Sequence, residues 1–409
     1  MNGGERRRGP APTVMTGPLA PYELPVRTAM ARAGYAPSSV REAAAAMRRL
    51  SCWMDERGLA TSGLTPLMMA KFVATRRGCC RNPEVPHRWL GAVLRVLREQ
   101  DVVPARSPGL DTARGVLLGE FRSWLTVERG LAPESVRCYG GQAGKLLAYL
   151  PDPLEHSLTA LDAATVTAFV VAQATAADSV WSAKAQITAT RALLRFLHVQ
   201  GLITTSLTAA VPGVAGWRLA ALPRGLAHEQ IQALLAAHDG VTTPAGLRDH
   251  AVLVALARLG LRGAEVAALR LDDVDWRGGQ IVIRGKGARV ERLPLPAEVG
   301  AALVAYLTGA RATCECATLF VTVRAPYQPL TATAVRAIMG RACQRAGLPR
   351  LGAHRLRHSL ATDLLRAGAP LAEVGQVLRH RSQLSTATYA KVDHETLRTL
   401  AQPWPGSGR

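Results

Sequence analysis

A mainly α-helical chain with one small β-hairpin is what this sequence predicts, laid out as helical modules followed by an α+β domain. Three observations carry that expectation. Apolar residues recur at helical spacing through most of the 409 residues. One stretch alternates at period two instead: residues 280–284 and 289–295, flanking Gly285-Lys286-Gly287, read as a hairpin. The first hundred residues and the next hundred also follow one plan.

In chain order, residues 1–24 are rich in Gly, Pro and Arg and read as a disordered lead. A first helical module covers 25–103. Ser38 or Ser39 is placed to cap a helix through Val40, Ala44, Met47, Leu50 and Trp53, stopped by Gly58. Thr65-Pro66 opens a second helix with Met69, Phe72 and Val73 on one face, and a third runs from Arg88 through Leu90, Val93, Leu94 and Leu97. The module at 110–210 repeats these steps. Tyr35-Ala36-Pro37-Ser38-Ser39-Val40-Arg41 recurs as Leu131-Ala132-Pro133-Glu134-Ser135-Val136-Arg137. Leu64 and Phe72 recur as Leu161 and Phe169, and Leu97 to Val103 as Leu197 to Ile203. The offset drifts only from 96 to 100 residues, as a duplicated module with small insertions would give. Residues 211–223, with Pro212, Gly213, Gly216 and Pro223, read as a linker. The domain at 224–402 begins with helices at 229–235 and 248–259 and continues with the hairpin. Helices follow at 297–308, 331–346, 355–367, 371–379, 385–391 and 395–400, before a tail at 403–409.

Composition narrows the partners. Hydrophobic residues make up 48%, enough for real cores, while aromatics are 5%, so those cores rest on Leu, Val and Ala. The 50 Lys and Arg against 30 Asp and Glu leave +20, a balance that favours a polyanion such as nucleic acid. Lysine is scarce, so part of that charge is a bias toward arginine. No apolar run approaches the ~18 residues that span a bilayer, and the start lacks the apolar core of a secretory leader. The expectation is a cytoplasmic protein without a membrane partner. The seven cysteines are scattered; Cys79-Cys80 and Cys314-Glu315-Cys316 lack the spaced second pair of a zinc site, and free thiols are expected.

A set of residues in the last 150 positions carries chemistry. Arg262 follows Gly260-Leu261 at a helix junction, with Glu265 three residues on; Lys286 sits at the hairpin tip; His354 and Arg357 open a helix; His380 ends one; Tyr389 lies nine residues further. Taken singly, each has a bland reading: a solvated Arg262, an exposed turn Lys286, a helix-capping His380, a packed Tyr389, and Glu265 as surface decoration. His358 reads as a packed core histidine. Together they suit phosphoryl transfer. A helix start with guanidinium forks binds an anion, and two arginines on a phosphate would stabilise its five-coordinate transition state. A phenol, with a free pKa of ~10, needs such a setting to act as nucleophile. Lys286 or a histidine would protonate the leaving sugar oxygen.

The residues from Leu259-Gly260-Leu261-Arg262-Gly263-Ala264-Glu265, through Gly285-Lys286-Gly287 and His354-Arg355-Leu356-Arg357-His358, to Leu378-Arg379-His380-Arg381-Ser382 and Tyr389 resemble the boxes of the tyrosine recombinases, or phage-type integrases. The likeness covers roughly residues 110–400. It implies that Arg262 and Arg357 hold the scissile phosphate, Lys286 is the acid for the 5′ oxygen, and His354 assists proton transfer at the tyrosine. His380 would hydrogen-bond the phosphate, Tyr389 would form a 3′-phosphotyrosyl bond, Glu265 would orient the arginines, and His358 would stay in the core. It further implies no cofactor, metal or ATP, a helical DNA clamp at 110–210, a homotetramer on double-stranded DNA, and possible accessory DNA-bending proteins. Arg379 departs from the pattern, standing where a glycine is usual. A type IB topoisomerase and a catalytically silent DNA-binding regulator are the rival readings.

Overall fold

The computed structural model describes residues 15–64, 66–76, 87–103, 112–177, 179–213, 225–238, 240–285, 289–379 and Thr386. It divides into two compact units: residues 1–104 together with 219–409, and residues 105–218.

The first module holds α1 (Glu23–Arg32), α2 (Pro37–Asp55), α3 (Pro66–Arg76) and α4 (His87–Glu99). Its core joins Met30, Met47, Leu50, Phe72, Val93 and Leu97, with Trp53 edge-on to Phe72 at 5.4 Å. Two expectations change. Residues 15–24 are not a loose lead: Leu19 is fully buried, its N–H donates to Ser51 Oγ at 3.1 Å, and that hydroxyl donates to the Thr16 carbonyl at 2.7 Å. Nor do Ser38 and Ser39 cap α2; Ala36 is the N-cap and Pro37 the first helical residue, where its fixed φ suits the helix and its missing N–H costs nothing. The turn after α1 reaches the C-terminal domain: the Tyr327 N–H donates to the Ala33 carbonyl at 3.1 Å. A Cβ on Gly34, whose φ is +85°, would fall 2.2 Å from the Tyr327 ring.

The second unit contains α5 (Ala113–Val127), α6 (Pro133–Tyr149), α7 (Leu154–Thr159), α8 (Ala163–Thr175) and α9 (Val180–Val199). Thr112, Asp162 and Ser179 cap α5, α8 and α9 by accepting from backbone N–H groups three residues on. Phe121, Trp124 and Phe196 form its aromatic centre, with ring centroids 5.5 to 6.2 Å apart.

The C-terminal domain contains α10 (His228–Ala236), α11 (Pro244–Arg258), α12 (Gly263–Ala268), β1 (Val274–Asp275), β2 (Gln280–Arg284), β3 (Val290–Pro294), α13 (Ala297–Gly309), α14 (Ala332–Arg345), α15 (His354–Arg366) and α16 (Leu371–Val377). α11 is apolar all round from Ala251 to Leu256, and α13, α14 and α15 enclose it. The predicted hairpin is β2–β3, with Ile281 opposite Leu293 and Ile283 opposite Glu291. The short β1 adds a third antiparallel strand beside β2. Ile281 and Ile283 point into the core while Gln280 and Arg284 face out, the period-two pattern that identified the strand. The helices read at 385–391 and 395–400 fall outside the described residues, Thr386 excepted. Among the described residues no helix is long and apolar enough to cross a membrane, and no cluster of three metal-binding side chains occurs.

Candidate active site

The site is built where the end of α11 turns into α12. Gly260 has a φ of +56°, the left-handed region open to glycine. A Cβ there would meet Leu360 Cδ2 at 2.9 Å and Leu378 Cδ2 at 3.1 Å. The turn leaves Arg262 as the extended N-cap of α12 and Glu265 in its first turn. Glu265 reaches back: one oxygen accepts the Arg262 backbone N–H at 2.9 Å and the other accepts Arg262 Nη1 at 2.5 Å. The Arg262 side chain is 41% exposed and the Glu265 carboxyl 5%. Glu265 is therefore a buried anchor, not surface decoration, and it aims an exposed guanidinium.

Arg357, one turn into α15, lies beneath this pair and is fully buried. Its Nη1 donates to the Gly260 carbonyl at 2.7 Å and its Nη2 to the Leu378 carbonyl. One side chain thus ties the α11–α12 turn to the end of α16. His354 is the first residue of α15. Its ring keeps an edge in solvent, yet the surrounding protein, and then the charges of Arg357 and Arg262, hold its pKa below the usual histidine value. Both effects favour its neutral form. His358 is only half-buried and sits edge-on to His354, with ring centroids 4.4 Å apart. It is not the fully packed core histidine that its spacing predicts; it packs the side of the His354 ring. Ser359 fixes the start of the domain to α15, accepting the Leu226 N–H at 2.6 Å.

Arg379 is the residue whose role the sequence did not give. It adopts a φ of +55°, the conformation a glycine would take there without strain. Its guanidinium turns inward, only 5% exposed, and pairs with Glu265 at 3.1 Å and with Glu291 of β3 at 3.8 Å. It also donates to the carbonyls of Leu259, Gly260 and Val377. Burial lowers the Arg379 pKa and Glu265 draws it back up. Burial alone would raise the Glu265 pKa. The Arg262 N–H and the Arg379 charge outweigh it and hold the carboxyl below the usual carboxylate range. The signal in the sequence was an arginine at a position that the resemblance assigns to glycine.

Arg262, Glu265, His354 and Arg357 thus come together. Lys286, His380 and Tyr389 lie outside the described residues. Lys286 falls in the sequence between β2 and β3, whose ends Arg284 and Val290 are paired. Thr386, three residues before Tyr389, is buried and lies against Gly375 of α16.

The phage integrase family matches residues 224–396. A Sinorhizobium fredii protein, y4rA, provisionally named an integrase/recombinase, is 36% identical over 96% of this chain and 96% of its own length. The tyrosine recombinase XerD of Mycobacterium tuberculosis is 31% identical over 69% of this chain and 94% of its own. Among solved structures, the fold is shared with the XerH site-specific recombinase bound to its difH substrate. That match has a TM-score of 0.53 and 21% identity, over 70% of this chain and 84% of that one. It is also shared with a lambda integrase dimer bound to a core site, with a TM-score of 0.51 and 19% identity, over 67% of this chain and 94% of that one. The boxed residues, the domain they build and a relative matched along nearly its whole length agree: the chain belongs to the phage integrase family, the tyrosine recombinases.

Proposed function

We propose that the chain is a site-specific DNA recombinase that cuts and rejoins duplex strands through a 3′-phosphotyrosyl intermediate. The observation that supports this most directly is the convergence of Arg262, His354 and Arg357, with Glu265 aiming Arg262. Arg262 presents the exposed guanidinium to the phosphate, and Arg357, buried beneath it on the Gly260 and Leu378 carbonyls, adds positive charge from below. In the first step the Tyr389 oxygen bonds to phosphorus as the bond to the 5′ oxygen breaks. Neutral His354 is suited to accept the phenolic proton, and Lys286 to donate one to the leaving oxygen. His380 donates a hydrogen bond to a non-bridging oxygen. The number of phosphodiester bonds is unchanged, because the phosphotyrosine stores the energy for the reverse attack by the 5′ hydroxyl of a second strand. No metal or nucleotide enters that balance.

The reaction needs two duplexes, so the working assembly on DNA is a homotetramer, with accessory DNA-bending proteins where the sites require them. The protein acts in the cytoplasm, at the nucleoid. Covalent capture tests the reading. Cells expressing the protein should yield DNA attached to it at a defined sequence. The Tyr389→Phe variant should bind the same sequence and capture nothing. Adducts in that variant would refute the nucleophile. Relaxation of plasmids without a partner site would point to a topoisomerase instead.

A further inference from the structure

The two helical modules, each taken by itself, match position by position. α2 and α6 both start with proline after an alanine of φ and ψ near −60° and 148°. Both are preceded by a left-handed glycine, Gly34 and Gly130. At an offset of 96 residues the buried pairs are Val40 with Val136, Met47 with Ala143, Leu50 with Leu146 and Met54 with Leu150. Phe72 matches Phe169, and Val93, Leu94, Val96 and Leu97 match Leu193, Leu194, Phe196 and Leu197. The last helix closes identically: Asp101 and Gly201 are left-handed, and the N–H groups of Val102 and Leu202 each donate at 2.9 Å to the carbonyls of Leu97 and Leu197.

A shared core explains shared apolar positions but not shared charges on the surface, where Glu42 faces Cys138 and Gly91 faces Arg191 in this register. Three positions outside the cores nevertheless keep their positive charge: Arg41 with Arg137, Arg49 with Lys145, and Arg95 with Arg195. In the second module Arg195 lines a hollow of about 220 Å³ together with Arg129, Arg191 and Tyr139. In the first, Arg95 donates at 3.2 Å to Tyr35, which stands at the position of Leu131 on the rim of that hollow. Cations held at fixed positions on a helical scaffold are the means by which proteins grip a phosphate backbone without reading sequence.

We propose that residues 15–103 are a second DNA clamp, a copy of the module at 110–210, which grips duplex phosphates through Arg41, Arg49 and Arg95. This rests on the reading of the chain as a DNA recombinase and extends its footprint beyond the core site.

The test uses the full-length chain with Arg41→Gln, Arg49→Gln and Arg95→Gln combined, and a matching Lys triple. Binding to a random-sequence duplex is measured against salt, and footprints are taken on the DNA site found by covalent capture. The Gln triple should lower the salt slope by about 3, roughly one for each lost phosphate contact, and shorten the protected region at one end. The Lys triple should restore both. Because Arg95 also holds Tyr35, the Arg41→Gln, Arg49→Gln pair is measured alongside, and it should give about two-thirds of the slope change. Covalent capture at the core site should persist in every variant at low salt, which separates this proposal from the recombinase reading itself. An unchanged slope and footprint in a Gln triple that melts as the parent does would overturn it. So would a defect confined to self-association, which would make the surface a contact between protomers.

Discussion

Arg379 and Glu265 form an ion pair in which both side chains are only 5% exposed, 3.1 Å apart, and the same carboxylate aims Arg262. Removing one member of a buried pair strands the other. Arg379→Ala should therefore lower stability by about 3 kcal/mol. Arg379→Gly removes the same pair but accepts the positive φ, so it should be about 1–2 kcal/mol less harmful than alanine. Chemical unfolding of the two variants side by side gives the comparison; equal losses would show that backbone conformation contributes nothing here.

The same carboxylate gives a pH dependence. Glu265 is held below its ordinary pKa in the folded chain. Its contribution is fully present above the unfolded carboxylate value of about 4.3 and is lost as pH falls through the lower folded value. Glu265→Gln should start less stable and lose less between neutral and acid pH than the parent. Unfolding midpoints across that range test the sign, and parallel curves would contradict it.

His354 acts in the same sense, in a higher pH window. Its pKa is lowered, so acid favours the unfolded state as pH falls below the unfolded histidine value of about 6.5, and the charged ring, unable to accept a proton in its proposed role, appears in the folded chain only below the lowered value. The rate of covalent adduct formation on a nicked substrate should fall on that acid limb. His354→Gln should be slower throughout and should show a flattened limb, while DNA binding is retained.

Lys286 is open to a leaving-group test. A 5′ oxygen needs a proton to depart, whereas a 5′ sulfur departs as a stable thiolate. Lys286→Ala should cut cleavage of an ordinary strand by on the order of 10²–10³-fold and leave cleavage of the sulfur-bridged strand nearly unchanged. Equal losses on both would remove Lys286 from the acid role.

Gly260 offers a purely steric check. Alanine would carry a strained positive φ and push into Leu360 and Leu378, and it would shift the carbonyl that receives Arg357. A loss of about 1–3 kcal/mol is expected, together with slower cleavage.

Much of this was legible in the chain. Period-two alternation identified β2 and β3, because one face of a strand must be buried. It missed β1, whose two residues are too short to show a period. It also missed α12, a six-residue helix defined by its cap more than by an apolar face. The start of α11 was placed late because its first turn is Pro244 to Leu247 after a Thr243 cap, where no periodicity has yet accumulated. Arg262, Glu265, His354 and Arg357 were named from order and spacing, and they come together. What spacing could not convey was burial. The sequence cannot say that Glu265 is enclosed, that His358 is only half-enclosed, or that Arg379 turns inward to reach two carboxylates from different elements. Those facts depend on where α16 ends relative to the α11–α12 turn, which is a matter of tertiary packing.

The electrostatic count at this turn has a consequence for the resting protein. The guanidinium groups of Arg262 and Arg379 share the enclosed carboxylate of Glu265, that of Arg357 lies against the Gly260 carbonyl of the same turn, and the carboxylate of Glu291 stands at the margin. Such an excess repels itself until a doubly shared anion arrives. Simple oxyanions such as sulfate should accordingly raise the melting temperature of the unliganded chain, and raise it less once Arg262 is replaced by alanine.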